Sequence, residues 1–195
     1  MILKEDVICF FDSCAPTWDE EMIKCDRKIG IILDNAGVKS NSKVLDVACG
    51  TGVLVPYYLK RDVKSVLGVD ISPKMIGIAK EKFEKGKVSF ICADVEETDI
   101  DSDFDAIVVY NAFPHFQDGD RLIGYLSKHL KKGGKLTIAH GASRERIDAH
   151  HKGPASKVSN GLMEAKDLAA IFEKYLKVTT VISDDEMYQV VGEKN

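Results

Sequence analysis

The chain has no apolar run approaching the ~18 residues of a membrane-spanning helix, so a membrane partner is not expected. The stretch at 7–11 is apolar but too short for the core of a secretory signal, and acids precede it. There is no CxxC pair. Cys9, Cys14, Cys25, Cys49 and Cys92 are scattered and odd in number, which argues against a disulfide framework and for free thiols in a reducing, cytoplasmic setting. Positive charge is in deficit: 27 Lys and Arg stand against 31 Asp and Glu, a formal net charge of −4. Such a chain has no general attraction for phosphate backbones, and nucleic acid is not an expected partner. Internal repeats and low-complexity tracts are absent. So are two phosphate-binding signatures. After Gly50 and Gly52, the third glycine of G-x-G-x-x-G is replaced by Val55, and Val53 and Leu54 stand where a P-loop has Lys and Ser or Thr.

What is present fits one α/β domain. At 195 residues, 45% hydrophobic and 30% charged, the chain can bury a substantial core. Its organising stretch is 44–52 (VLDVACGTG): a buried strand with an acid inside it, a small-residue turn, then a helix start. Upstream, residues 1–18 read as irregular. A helix is expected from Trp18, with acids in its first turn, to Gly37. Strands are expected at 43–48, 63–70, 88–93, 104–110 and 135–140. Helices are expected at 53–60, at 72–83 with Ser72 as N-cap and Pro73 at the first position, and at 118–131. Gly133 and Gly134 read as the stop of that last helix. A polar segment with a short helix near 143–150 follows, then a helix at 163–175 and a hairpin of strands at 178–183 and 187–192. This order predicts a Rossmann-like, seven-stranded, mostly parallel sheet with an antiparallel last strand and helices on both faces. Asp70, Asp94, Asn111 and His140 fall at or just past strand C-termini, where such sheets bind ligands.

Five segments together resemble the class I S-adenosylmethionine-dependent methyltransferases: 44–52 (VLDVACGTG), 67–75 (LGVDISPKM), 92–95 (CADV), 104–111 (FDAIVVYN) and 130–136 (LKKGGKL). The resemblance runs from about residue 43 to 140 and implies one such domain over 1–195, with residues 1–36 as lid and helix and 141–163 as an acceptor-side insert. It implies S-adenosylmethionine as co-substrate. Asp46, Ala48, Gly50 and Gly52 would line its methionine part and Asp70 would accept the ribose hydroxyls. Ile71 and Met75 would pack on the adenine, Asp94 and Val95 would meet its amino group and ring face, and Asn111 would border the sulfonium. The bland alternatives are a helix-capping Asp46, a turn-forming Asp70 and a structural Asp94. A second function on the same fold is a non-methylating cofactor-binding protein or another transferase.

The covers are short, so the expected acceptor is a small molecule with an O, N or S nucleophile. Histidines mark that side. His115 follows the fourth strand, His140 ends the fifth, and His150 and His151 lie in the insert, while His129 reads as surface. His115 or His140 is expected as a general base. Alternatively, two or three of His115, His140, His150 and His151 hold a divalent metal such as zinc, or all are polar lining. Arg144 and Arg146 are candidates for an acceptor anion or a solvated helix face. Phe11 and Trp18 are candidates for a lid.

Overall fold

The computed structural model describes residues 2–100, 103–150 and 153–195. Seven strands form one sheet: β1 (Lys43–Val47), β2 (Ser65–Asp70), β3 (Val88–Cys92), β4 (Phe104–Tyr110), β5 (Leu130–His140), β6 (Lys177–Ser183) and β7 (Tyr188–Glu193). Their order is β3-β2-β1-β4-β5-β7-β6. The first five strands are mutually parallel, and β7 runs antiparallel to both neighbours, β5 and β6. The chain leaves β1 outward through β2 and β3, then returns to β4 on the other side of β1. That reversal opens a crevice beyond the C-terminal ends of β1 and β4.

Alternation along the central strands makes the three layers. Val44 on β1 and Ala106 and Val108 on β4 face one apolar cluster, with Ile29, Leu33, Tyr58, Ile76 and Ala79. Leu45, Val47, Ile107 and Val109 face the other, with Leu122, Ile123, Leu126, Leu168 and Phe172. The first group of helices is α3 (Asp26–Asn35), α4 (Val55–Lys60) and α5 (Pro73–Phe83); the second is α6 (Gly119–Lys128) and α8 (Ala165–Phe172). Such near-continuous apolar strands are what a parallel sheet covered on both faces requires.

Local signals work as read at several ends. Ser72 Oγ accepts from Met75 N at 3.2 Å and caps α5. Gly37, at φ +72°, ends α3, with Val38 N donating to Leu33 O at 3.0 Å.

Three expectations are corrected. Residues 1–18 are not irregular: α1 (Lys4–Cys14) is a helix, followed by a tight turn at Ala15–Thr17. The helix expected from Trp18 to Gly37 is two pieces, α2 (Trp18–Glu21) and α3, because Met22 is extended at ψ 120°. Gly133 and Gly134 do not stop a helix. α6 ends at Lys128, and both glycines lie inside β5, at an irregularity in its pairing with β4. Gly133 has φ +72°, and a Cβ on Gly134 would sit 2.7 Å from Phe104 O, so the close strand approach demands glycine. The insert carries α7 (Arg144–His150) and a 3-10 turn at Pro154–Val158.

Candidate active site

The turn after β1 is built from left-handed backbone: Ala48, Gly50 and Gly52 have φ of +53°, +55° and +82°. Asp70, at the end of β2, holds it. Asp70 Oδ2 accepts from Gly50 N at 2.8 Å, and Oδ1 accepts from Ser72 N at 2.8 Å. One carboxylate thus ties the first turn to the start of α5. Burial pushes its pKa up, while these backbone donors pull it down. Ala48 pays the steric cost of a Cβ in the left-handed region, about 1 kcal/mol or more. Ala48→Gly is therefore expected to raise stability by up to about 1 kcal/mol, read as a higher urea midpoint with an unchanged slope.

A cleft of about 1160 Å³, counting its open mouth, lies over this turn. Asp46, Ala48 and Gly50 form its floor. Asp70, Ile71 and Met75 form one wall, Asp94 and Val95 the next, and Asn111 and His115 the wall beyond β4. Asn111, at φ +55°, joins the ends of β4 and β5: its Oδ1 accepts from Gly141 N at 3.0 Å, and its own N donates to Ala139 O at 2.9 Å. Gly52 lies outside the cleft. Its left-handed φ and its packing both call for glycine, since a Cβ there would meet the Phe83 ring at 2.9 Å.

Asp46 is 2% exposed; its Oδ2 makes no well-formed hydrogen bond, and the equally buried hydroxyl of Tyr58 is its polar neighbour. Burial, aided by the charge of Asp70, pushes its pKa up to about 8.

The cover comes from the N-terminus. Ile2, Lys4, Val7, Phe11, Trp18 and Met22 all line the cleft. Phe11 packs edge-on against Trp18 (centroids 5.7 Å apart) and against His115 (4.9 Å). Polar contacts latch the cover to the body. Lys4 Nζ sits 2.5 Å from both Asp94 Oδ2 and Glu97 Oε1. Asp12 Oδ1 accepts from Ser72 Oγ at 2.5 Å. Buried Thr51, in the glycine turn, donates to Asp19 Oδ1 at 2.7 Å. Gln117 Nε2 donates to Ile2 O.

The histidines do not converge. His115 lines the cleft, its Nδ1 2.7 Å from Val158 O. His140 is 1% exposed, lies off the cleft and packs edge-on against Tyr188 at 6.0 Å. His129 is half-buried beside the Tyr125 ring. His150 closes α7, and His151 lies outside the described residues. Among the described residues no three His, Cys, Asp or Glu side chains gather as a metal ion would need, so the expected divalent metal finds no ligand set there. Arg144 is a brace: its Nη2 pairs with Glu164 at 2.6 Å. Arg146 is exposed.

Phe11 stands in the cover as its sequence position suggests, but the helix α1 that carries it is not anticipated by the irregular reading of residues 1–18. Val7, Phe10, Phe11 and Cys14 recur at helical spacing behind Glu5 and Asp6 in the first turn, which was a readable signal. Phe116, Gln117 and Arg121 also line the cleft, and no motif marked them; Tyr110, within 104–111, lines it too. No helix among the described residues is long and apolar enough to cross a membrane.

Residues 44–134 match the family described as "Methyltransferase domain". The chain is similar to the malonyl-[acyl-carrier protein] O-methyltransferase of Acetivibrio thermocellus, 30% identical over 143 residues, covering 71% of this chain and 50% of that protein. The chain thus spans about half the length of that relative. Among solved structures, one similar chain is in the complex between the Haloferax volcanii Trm112 methyltransferase activator and a methyltransferase (TM-score 0.73, 17% identity, 94% of this chain and 97% of that one). Another is the N-methyltransferase NodS of Bradyrhizobium japonicum with S-adenosyl-L-homocysteine (TM-score 0.67, 17% identity, 86% of each chain).

Proposed function

We propose that the chain is a class I S-adenosylmethionine-dependent methyltransferase, whose cleft binds S-adenosylmethionine and passes the methyl group to a small-molecule O, N or S nucleophile, a reading supported by its matched methyltransferase domain and its named relatives. The observation that carries this reading is Asp46: a buried carboxylate lining the cleft, with no cation beside it and only a weak contact to the Tyr58 hydroxyl, suits the ammonium of an amino acid tail. When bound, S-adenosylmethionine supplies a sulfonium methyl group open to in-line displacement.

The chain's own residues divide the remaining work. Ala48 and Gly50 offer close backbone approach, and Asp70 keeps lone pairs for two ribose hydroxyls beside the backbone donors it already accepts. Ile71, Met75 and Val95 give the adenine apolar faces, with Asp94 at its edge. The N-terminal segment from Ile2 to Met22 serves as cover, backed by Ala155 and Val158 of the insert, and Phe11 and Trp18 exclude water from the acceptor side. His115 accepts the acceptor's proton.

The relative from A. thermocellus bears the name of an enzyme acting on a carrier-bound malonyl group. Here the cleft cations Lys4 and Arg121 are already held, Lys4 by Asp94 and Glu97 and Arg121 by Glu96 at 2.8 Å. That favours an acceptor without a carboxylate. Four acids lining the cleft, Asp46, Asp70, Asp94 and Glu96, point the same way. The five free thiols favour a reducing, cytoplasmic setting.

The test is turnover. Protein and S-adenosylmethionine are incubated with thiols, amines, phenols and oxyanions, and S-adenosylhomocysteine is measured. One neutral class should yield it, whereas binding without turnover of any class would favour a non-methylating binder. With that acceptor, His115→Ala should lower kcat about 100-fold with cofactor affinity kept; an unchanged kcat removes His115 from the mechanism.

A further inference from the structure

The turn that carries His115 is strapped to the insert at three successive residues. Asn160 N donates to Pro114 O at 2.8 Å, His115 Nδ1 faces Val158 O at 2.7 Å, and Asn160 Nδ2 donates to Phe116 O at 3.0 Å. The strap is itself part of the cover. Val158 and Ala155 share a small apolar cluster with Ile2 and Val7 of the N-terminal segment, packed by Phe10, Phe11 and Ile71. Phe11, from the same cluster, meets the His115 ring edge-on.

A carbonyl oxygen can only accept, so the ring nitrogen facing Val158 O carries the proton. In a neutral ring this makes Nε2 the basic nitrogen. We propose that Val158, through its carbonyl, and Asn160 are positioning residues that hold His115 in its Nδ1–H tautomer. The base is then assembled only while the insert and the N-terminal helix are docked together. The inference rests on His115 as the base. It adds that the cover does more than exclude water: with the cover off, the ring loses the acceptor that orders its tautomer and the aromatic edge that fixes its plane. A reactive methyl donor then meets a competent base only behind a closed cover.

The test needs no acceptor. In protein labelled with ¹⁵N-histidine and saturated with S-adenosylhomocysteine, His115 is assigned by the signal lost in His115→Asn, and its tautomer is read from the ring nitrogen shifts at a pH where the ring is neutral. The wild type should be mainly Nδ1–H. Ala155→Asp places a carboxylate in the apolar cluster, and Asn160→Ala cuts the strap beside the histidine. At least one should move the tautomer ratio toward Nε2–H by about fivefold, the worth of one ordinary hydrogen bond. Asn160 is exposed, so its variant keeps the test open if Ala155→Asp does not fold. A wild-type ring in the Nε2–H form, or a ratio unchanged in every folded variant, overturns the proposal. A tautomer shift together with an unchanged kcat in His115→Ala would keep the strap and discard the base.

Discussion

Asp70→Asn is expected to weaken S-adenosylmethionine binding about 100-fold or more, measured by calorimetry, and to lower the melting temperature of the unliganded protein. Two effects add. The carboxylate is the proposed acceptor for two ribose hydroxyls, and charge-assisted bonds of this kind contribute about 1.5–3 kcal/mol each. It also accepts from Gly50 N and Ser72 N at 2.8 Å each. An amide presents one oxygen and one NH₂ group, so one of the two backbone donors loses its acceptor, at a cost of about 1–3 kcal/mol. The melting shift separates the turn-holding role from the ligand role. An Asn variant with lowered stability but wild-type affinity would leave Asp70 as a turn residue alone.

The second large effect is a pH dependence that resides in Asp46. Its folded pKa, about 8 through burial first and the charge of Asp70 second, stands above the ordinary carboxylate value. Between that ordinary value, near 4, and about 8, the folded chain holds a proton that the unfolded chain has released. Stability of the unliganded protein therefore falls as pH rises through this window. An ammonium beside Asp46 reverses the preference, so binding expels the proton. Affinity for S-adenosylmethionine should rise with pH, approaching tenfold per unit below about pH 8. It should level off where the ligand's own amino group, of pKa about 8, begins to lose its charge. Asp46→Asn should remove both slopes and weaken binding about tenfold to a hundredfold at neutral pH. A slope that persists in the Asn variant would place the titrating group elsewhere.

Much of this site is local, and local features are legible in a sequence. The spacing of apolar residues predicts each strand from β1 to β5 and the terminal hairpin, and Ser72 with Pro73 predicts the start of α5. The glycine turn and the acids at strand ends predict a ligand rim, because the parallel connection brings those ends together whatever the rest of the chain does. Nearly every residue read as cofactor-binding does line the cleft.

The rest depends on contacts distant in the chain. Lys4 reaches Glu97 across 93 positions, and His115 reaches Val158 across 43. No periodicity records such pairs. Gly52 reads as a cleft residue until Phe83 is seen to fill the space behind it, and His140 reads as a base until its ring is seen buried against Tyr188. The sequence alone determined the turn and the strand-end acids that line the cleft, because a strand, a tight turn and an acid need only neighbouring residues to specify them. The tertiary structure decided what covers the cleft and which side chains are buried, because burial, and with it the surroundings of Asp46 and His115, is a property of packing among segments that the chain order keeps apart.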